Sequence, residues 1–384
     1  MSSVTPSVAI VTRNAIHGGV ETMVAMHQRL FDATVFVAGG SDHPETCPFR
    51  YTYIDGMNPY RAHARLARLL RPFDVVIYHW LPSWAQESVR RADRPCVEVV
   101  HRDDTADNDK SIPDLIVTHS QYLADFLARN MAVQATVIPH GVEVSRYPLA
   151  PSGACVGAIT SYYWNKGVDL LLSAWARLEP HFPHHQLRLY GAGGDRPTFE
   201  RMAEDLGVRA VELLGPIPDP APRYAEYCLF VQPSRAEGLP FAILEALASN
   251  MPVIASDLPA MVEFNHLAEQ RGWRAPLTLF RTDDSADLEE KMGRCLRELE
   301  TGAPGATPSR EYIDHFYGPE RHRQLYVQAM EQAIGLHRRL VAQERRWQGW
   351  GRSPKQIASN LYRLATPRRA RYALWAYRHR AALR

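Results

Sequence analysis

Two glutamates eight positions apart, Glu237 and Glu245, are the residues of this sequence best suited to chemistry. They lie in "SRAEGLPFAILEALASNMPVIASD" (234–257), where a Gly-Leu-Pro-Phe loop precedes a helical pattern. A buried carboxylate is costly without a partner, and the N-terminus of a helix that follows a strand binds anions. A phosphate on the amides after Glu237 would have one carboxylate on each side, which fits a nucleotide sugar. The alternative is that Glu237 only stabilises the helix N-terminus and Glu245 is solvated.

The elements around these glutamates alternate between short apolar runs and helical patterns, which predicts parallel sheets. A Pro-rich and small-residue stretch at 146–154 interrupts the alternation, which then restarts. We therefore predict an α/β fold with two Rossmann-like doubly wound domains that face a central cleft, residues 1–150 and 151–337, with ligands at the carboxyl ends of the strands. The predicted strands are 7–12, 34–38, 74–79, 96–101, 114–120, 135–141, 155–160, 186–191, 210–215, 228–234 and 252–256. The predicted helices include about 20–30, 167–177, 196–206, 240–249 and 318–340.

Composition excludes several classes of protein. The five cysteines are odd in number and widely spaced, which argues against a disulfide framework or a metal cluster and favours a reducing, cytoplasmic setting. The first residues lack the pattern of a secretion signal, and no stretch has the apolar length of a spanning helix.

Five stretches occur in an order that is more specific than any one of them. They are "HGGVET" (17–22), "VIPHGVE" (137–143), "NKGVDLLLSAW" (165–175), "LYGAGGDRPTFERMAEDLGVRAVELLGPIPD" (189–219) and "PSRAEGLPFAILEALASNMPVIASD" (233–257). Together they resemble the retaining nucleotide-sugar glycosyltransferases of GT-B fold, glycosyltransferase family 4. Two positions depart from that pattern: Ser161 stands where the family usually carries an Arg, and Asn250 replaces a Gly. The missing Arg removes half of the expected cation pair, so either another basic residue substitutes or the donor site is weakened.

The resemblance implies that Glu237 binds hydroxyls of the transferred sugar and Glu245 binds the ribose. Lys166 would neutralise the leaving diphosphate, and His101 would contact the donor sugar. The loops of Gly18, Gly19, Gly238, Leu239, Pro240 and Phe241 would complete the diphosphate site. A solvated surface lysine is the alternative for Lys166, and a structural histidine bonded to a carbonyl is the alternative for His101.

The remaining expectations concern the nucleoside and the absence of a metal. Gly191 and Gly193 would let the nucleoside approach the backbone, and the strand near residues 214–217 would read the base. We interpret His140 as structural and Ser120 as a helix N-cap. No cofactor and no metal are expected, because the resemblance implies transfer without a protein nucleophile or a bound cation, and no H-x-H or D-x-D lies at a strand end.

The last segment, residues 338–384, differs in charge from the rest of the chain. It holds 13 Lys or Arg and one acid, against 31 basic and 41 acidic residues before it. Its Arg residues alternate with Trp and Tyr, which suits an anionic membrane surface. The alternatives are docking of this segment on the acidic body, with about 345–365 crossing back over both domains, and, least favoured, nucleic-acid binding.

The resemblance implies a retaining glycosyltransferase, and the basic segment favours a position on the inner face of the cytoplasmic membrane. It would move a sugar from a nucleoside diphosphate to a glycan or lipid-linked acceptor in surface polysaccharide or lipopolysaccharide assembly. The alternatives are an epimerase or phosphorylase of the same fold, or a non-catalytic binding module that has lost its donor chemistry.

Overall fold

The computed structural model describes residues 6–15, 18–39, 47–54, 58–102, 109–149, 154–301 and 309–348. They form two parallel β-sheets, one in each half of the chain, with helices packed against them. In both sheets the strand order reverses direction beside the first strand, so both are doubly wound and the predicted architecture is confirmed.

The N-terminal sheet has seven strands in the order β3-β2-β1-β4-β5-β6-β7. Its two central strands, β1 and β4, are buried along their whole length, as expected for apolar runs covered by helices on both faces. The strands are β1 (Val8–Thr12), β2 (Thr34–Val37), β3 (Thr52–Tyr53), β4 (Val75–His79), β5 (Cys96–Val99), β6 (Leu115–Thr118) and β7 (Thr136–Val137). The helices are α1 (Gly19–Phe31), α2 (Pro59–Leu70), α3 (Ser83–Ala92) and α4 (Gln121–Met131).

The C-terminal sheet has six strands in the order β10-β9-β8-β11-β12-β13. Its strands are β8 (Cys155–Ile159), β9 (Gln186–Tyr190), β10 (Val211–Leu214), β11 (Tyr227–Gln232), β12 (Val253–Ser256) and β13 (Leu277–Phe280). Its helices are α5 (Val168–Leu178), α6 (Arg196–Asp205), α7 (Phe241–Ala248), α8 (Pro259–Gln270) and α9 (Ser285–Glu300). Two more helices follow, α10 (Arg310–Tyr317) and α11 (Pro319–Gln348).

The last helix returns to the N-terminal domain. In α11, the His322 Nδ1–H donates to the carbonyl of Pro139 at 2.8 Å, and His337 Nδ1 lies 3.2 Å from a carboxylate oxygen of Asp114. The crossing therefore begins at residue 319, earlier than the 345–365 that the sequence suggested, and the helix continues without a break past residue 338. The prediction for the rest of the basic segment, 349–384, lies outside the described residues. Among the residues that the structure describes, no helix is long and apolar enough to cross a membrane.

A second contact joins the domains at α4. The carboxylate of Glu263, in α8, accepts hydrogen bonds from the backbone N–H groups of Gln121 and Tyr122, both at 2.7 Å. Both amides belong to the first turn of α4, and the N-terminus of a helix carries the positive end of its dipole. Ser120 caps the same helix by accepting from the Leu123 N–H at 3.3 Å, which confirms its predicted role.

Candidate functional site

The strand order of the C-terminal sheet puts the candidate site between β8 and β11. After β8 the chain continues to β9 on one side of this point, and after β11 it continues to β12 on the other side. The two connections therefore diverge, which opens a crevice at the carboxyl ends of the strands. Lys166 follows β8 in a short 3₁₀ turn, and Glu237 follows β11 in the loop before α7. Two residues that are 71 positions apart in the sequence therefore meet in this crevice.

Lys166 and Glu237 form an ion pair in which Nζ and Oε1 are 2.5 Å apart. The Lys166 side chain is 17% exposed and that of Glu237 is 8% exposed. The same oxygen of Glu237 accepts from Ser234 Oγ at 2.9 Å and Gln232 Nε2 at 3.3 Å. The carboxylate thus has the partners that make its burial tolerable, and Lys166 is not the solvated surface lysine of the alternative interpretation.

Gly167 fixes the position of this pair. Its φ of +68° lies in the left-handed region, and a Cβ at this residue would lie 1.9 Å from the carbonyl oxygen of Pro233. Only glycine allows the turn after β8 to approach the loop after β11 so closely.

The helix that follows Glu237 begins one residue later than predicted. Pro240 is its N-cap rather than part of its first turn, and α7 starts at Phe241. The free amides are consequently those of Phe241, Ala242 and Ile243, because Pro240 has no N–H and no side chain caps this end. An anion site at this N-terminus is therefore available, although it is displaced from residues 238–241.

The two domains are in close contact at this loop. A Cβ on Gly238 would lie 2.3 Å from the carbonyl oxygen of His101, and a Cβ on Gly19 would lie 3.5 Å from the ring of Phe241. Gly18 and Gly19 form the N-cap and first residue of α1. The structure thus brings together predicted site residues of both domains: Gly18, Gly19 and His101 on one side, and Gly238, Leu239, Pro240 and Phe241 on the other.

His101, which is partly exposed, belongs to a cluster with three buried histidines that the sequence patterns did not reveal. His79 Nδ1 lies 2.9 Å from His101 Nε2, the rings of His119 and His140 stack at 3.7 Å between centroids, and His140 lies 4.0 Å from the ring of Phe241. Each of these four histidines ends or follows a strand, β4 to β7 in turn, at the same sheet edge. That repeated position was the sequence signal that could have revealed the cluster.

Burial keeps the clustered histidines neutral. It lowers the pKa of His79 to about 3 and lowers the pKa values of His101, His119 and His140 well below the ordinary value of 6.5. Neighbouring histidines add to the effect, because two imidazolium charges would repel one another. A sugar that contacts His101 would therefore meet an uncharged imidazole.

Glu245, on α7, is buried against the segment that joins the domains. Tyr147 donates to its Oε1 at 2.9 Å and Tyr224 donates to its Oε2 at 2.7 Å. Burial raises the pKa of Glu245, while the two hydroxyl donors oppose that rise. The solvated-helix alternative is wrong because the side chain is 4% exposed, and ribose binding by Glu245 stays a prediction.

A cavity of about 200 Å³ opens beside Glu245 at the junction of the domains. Side chains from α1 and from the linking segment share its wall with Glu245. They are Thr22, Arg29, Glu143, Arg146 and Tyr147.

The remaining predicted residues have structural surroundings of their own. A Cβ on Gly191 would lie 1.7 Å from the Thr160 carbonyl oxygen, and one on Gly193 would lie 2.2 Å from that of Tyr162. These glycines therefore let the loops after β8 and β9 pack together, and their predicted approach to a nucleoside is untested. Within the described residues, no three His, Cys, Asp or Glu side chains are placed to hold a metal ion.

Arg235 does not take the place of the missing Arg at Ser161. The nearest arginine along the β11 loop, Arg235, is committed elsewhere: it bonds both carboxylate oxygens of Asp169, at 2.8 and 2.7 Å, and pairs with Asp283. Its guanidinium also stacks over Trp164 at 4.5 Å. Arg235 therefore braces the turn that carries Lys166 rather than facing a ligand.

Comparisons with known proteins agree with this geometry. Residues 150–298 match the family model described as glycosyl transferases group 1. The lipopolysaccharide core biosynthesis mannosyltransferase LpcC of Rhizobium leguminosarum bv. viciae is 31% identical over 169 residues, which is 39% of this chain and 47% of that protein. LpsB of Rhizobium meliloti, a mannosyltransferase of the same description, is 28% identical over 155 residues, which is 35% of this chain and 44% of that protein. The matched stretches thus span less than half of these relatives.

Solved structures match over a larger part of the chain. Anabaena HepE, in complex with UDP and glucose, has a TM-score of 0.70 at 16% identity, covering 85% of this chain and 99% of that one. A glycosyltransferase from Rickettsia africae has a TM-score of 0.66 at 15% identity, covering 86% and 99%. At this identity the likeness concerns the fold. The chain therefore has the two-domain GT-B fold, and residues 150–298 are the part of it that is similar to the glycosyl transferases group 1.

Proposed function

We propose that this protein is a retaining, metal-independent glycosyltransferase that moves a sugar from a nucleoside diphosphate to a glycan or lipid-linked acceptor. The observation that carries the proposal is the Lys166–Glu237 pair, set beside the free N-terminus of α7 and opposite Gly18, Gly19 and His101. The group 1 match covers this pair, and the HepE complex with UDP-glucose supports a nucleoside diphosphate sugar as donor.

The proposed chemistry is electrostatic. When the bond between sugar and diphosphate breaks, negative charge develops on the phosphate and positive charge on the sugar ring. Lys166 and the amides of Phe241 to Ile243 would stabilise the phosphate, in place of a metal ion. Glu237 would hold sugar hydroxyls close to the developing positive charge. The acceptor hydroxyl would attack from the face that the diphosphate leaves, and the phosphate would receive its proton, which retains the configuration.

The proposed setting is lipopolysaccharide or surface polysaccharide assembly at the inner face of the cytoplasmic membrane. The names of LpcC and LpsB support lipopolysaccharide core synthesis. The composition of 338–384, with 13 basic residues and one acid, supports an anionic membrane surface as partner. Removing residues 349–384 should abolish sedimentation with anionic vesicles while leaving donor binding intact.

Donor binding is the first test, because it requires no knowledge of the acceptor. We expect one nucleoside diphosphate and its sugar conjugates to raise the melting temperature of the wild type by mass action. Lys166→Gln should lose this shift. Lys291→Gln, which removes a lysine paired with Asp287 on the distant helix α9, should keep it. A wild-type protein that responds to no nucleotide would contradict the proposal and favour a binding role without donor chemistry.

Stereochemistry and metal independence are tested on the product. NMR of the transferred sugar should show the anomeric configuration of the donor, and a chelator should leave the rate unchanged. An inverted product would contradict retention, and loss of the rate with chelator, restored by Mg²⁺, would contradict metal independence.

A further inference from the structure

The N-terminal sheet has a crevice of its own that the donor chemistry does not use. Its strand order reverses between β1 and β4, and ligands of doubly wound sheets bind at the carboxyl ends of the strands at such a point. Val11 pairs with Tyr78 in the register of these strands. Arg13 and Trp80 come two positions later, each directly after the end of its strand, so these two residues flank the crevice from either side.

Arg13 and Trp80 are in contact there. The guanidinium carbon of Arg13 lies 4.3 Å from the centre of the Trp80 ring system, and Trp80 is 41% exposed although its neighbour His79 is buried. The backbone of Arg13 is also fixed from the β2 side, because a Cβ on Gly39 would lie 2.4 Å from the Arg13 carbonyl oxygen. Three strand ends therefore hold an aromatic surface and a cation in one place.

The charge of Arg13 has no counterion in the described part of the chain. Its guanidinium makes no hydrogen bond or ion pair with the residues described, and its contact is the Trp80 ring. Stacking uses the flat face of the guanidinium, which leaves its N–H donors at the edge, where they match the two oxygens of a carboxylate or phosphate. The exposed part of the indole offers apolar area to the C–H face of a sugar ring.

We propose that Arg13 and Trp80 form an acceptor subsite for an anionic pyranoside, with the sugar ring on Trp80 and its carboxylate or phosphate group on Arg13. The inference rests on the proposed function only where it calls the bound sugar the acceptor. It adds the chemical class of that acceptor, a negatively charged sugar. The subsite is on the same sheet edge as His101 and is next to the loop that leads to Gly18 and Gly19, so its occupant would face the donor site.

The test measures binding of three probes without any donor: methyl glucuronide, glucose 6-phosphate and methyl glucoside. Wild-type protein should bind at least one anionic probe about tenfold more tightly than the neutral one, as expected for charge-assisted hydrogen bonds. The more tightly bound anion identifies the group as a carboxylate or a phosphate. Arg13→Gln should remove the preference, and Trp80→Ala should weaken all three probes.

The controls separate this proposal from folding and from the proposed function. Arg209→Gln removes an exposed arginine of the C-terminal domain and should leave all affinities unchanged. Arg13→Lys keeps the charge without the planar edge and should retain part of the preference, with an unchanged melting temperature. Equal binding of neutral and anionic probes, or a preference that survives in Arg13→Gln, would overturn the subsite. The donor shift of Arg13→Gln should equal that of wild type. A donor shift missing from both proteins would count against the proposed function alone, whereas a shift lost only in Arg13→Gln would place Arg13 in the donor site and overturn the acceptor subsite.

Discussion

Gly238→Ala tests whether the contact between the two domains is needed for activity. The added methyl group would lie 2.3 Å from the His101 carbonyl oxygen, whereas ordinary contacts lie at 3.4 Å or more. The φ of Gly238 is outside the left-handed region, so alanine brings no backbone strain and the whole effect is steric. The loops must separate by about 1 Å, which moves the α7 N-terminus away from Gly18 and Gly19.

The cost follows from the overlap. Overpacking of this kind destabilises by about 1–3 kcal/mol. If the closed arrangement is the reactive one, kcat/KM for donor hydrolysis or transfer should fall by about 5- to 150-fold. For a chain of this length the melting temperature should fall by about 1–4 °C.

The matched control is Gly335→Ala on α11. A Cβ at Gly335 meets nothing within 4 Å, so this change should leave kcat/KM unchanged. It should stabilise the helix by about 1 kcal/mol, because alanine is the better helix former. Wild-type kcat/KM together with a wild-type melting temperature in Gly238→Ala would refute the reasoning, since the two loops could not then be in contact in solution.

Three further predictions concern buried or bridging carboxylates. Burial raises the pKa of Glu21 from its ordinary value of 4.5 to about 7, so the folded protein should lose about 3 kcal/mol as pH rises from 4.5 past 7. Denaturant unfolding across that range should show this loss, and Glu21→Gln should abolish it; a wild-type curve that is flat there would contradict the burial. Tyr147→Phe removes one hydrogen-bond donor from buried Glu245 and should lower the unfolding free energy by about 1–3 kcal/mol. An unchanged unfolding free energy would show that another group donates in its place. Glu263→Gln weakens the hydrogen bonds that α8 provides to the N-terminus of α4 and should lower the unfolding free energy by about 1 kcal/mol. An unfolding free energy that equals that of wild type at every salt concentration would show that this contact is absent in solution.

The sequence predicted most of the fold because its signals are local. Apolar runs predicted the central strands of both sheets. The predicted start of α7 differs from the observed start by one residue, because proline suits both the N-cap and the first turn. The missed elements lack such signals. Strand β3 has two exposed residues, and β13 is an edge strand with a half-exposed pattern. Neither has the buried run that identifies a central strand.

The site was predicted less completely, because partners distant in sequence leave no local mark. The type and spacing of Glu237 and Glu245 identified them as residues that need partners, but nothing near them in the sequence names Lys166 or Tyr147. Those partners come from 71 and 98 residues away, across the crevice and from the linking segment. The histidine cluster was missed for the same reason, since each member is one residue at one strand end.

The burial of the two glutamates is compensated in different ways, and the difference bears on function. Glu237 is balanced by a full charge on Lys166, which a diphosphate could take over, leaving Glu237 free to bind sugar hydroxyls. Glu245 is balanced by two neutral hydroxyl groups, which fix its orientation without cancelling its charge. A charge pair that a ligand can exchange is suited to the reacting end of the donor, and a carboxylate held by neutral donors is suited to a constant binding role. Within the proposed function, the partners of the two acids, more than their spacing, therefore favour Glu237 for the reacting end of the donor and Glu245 for a positioning role.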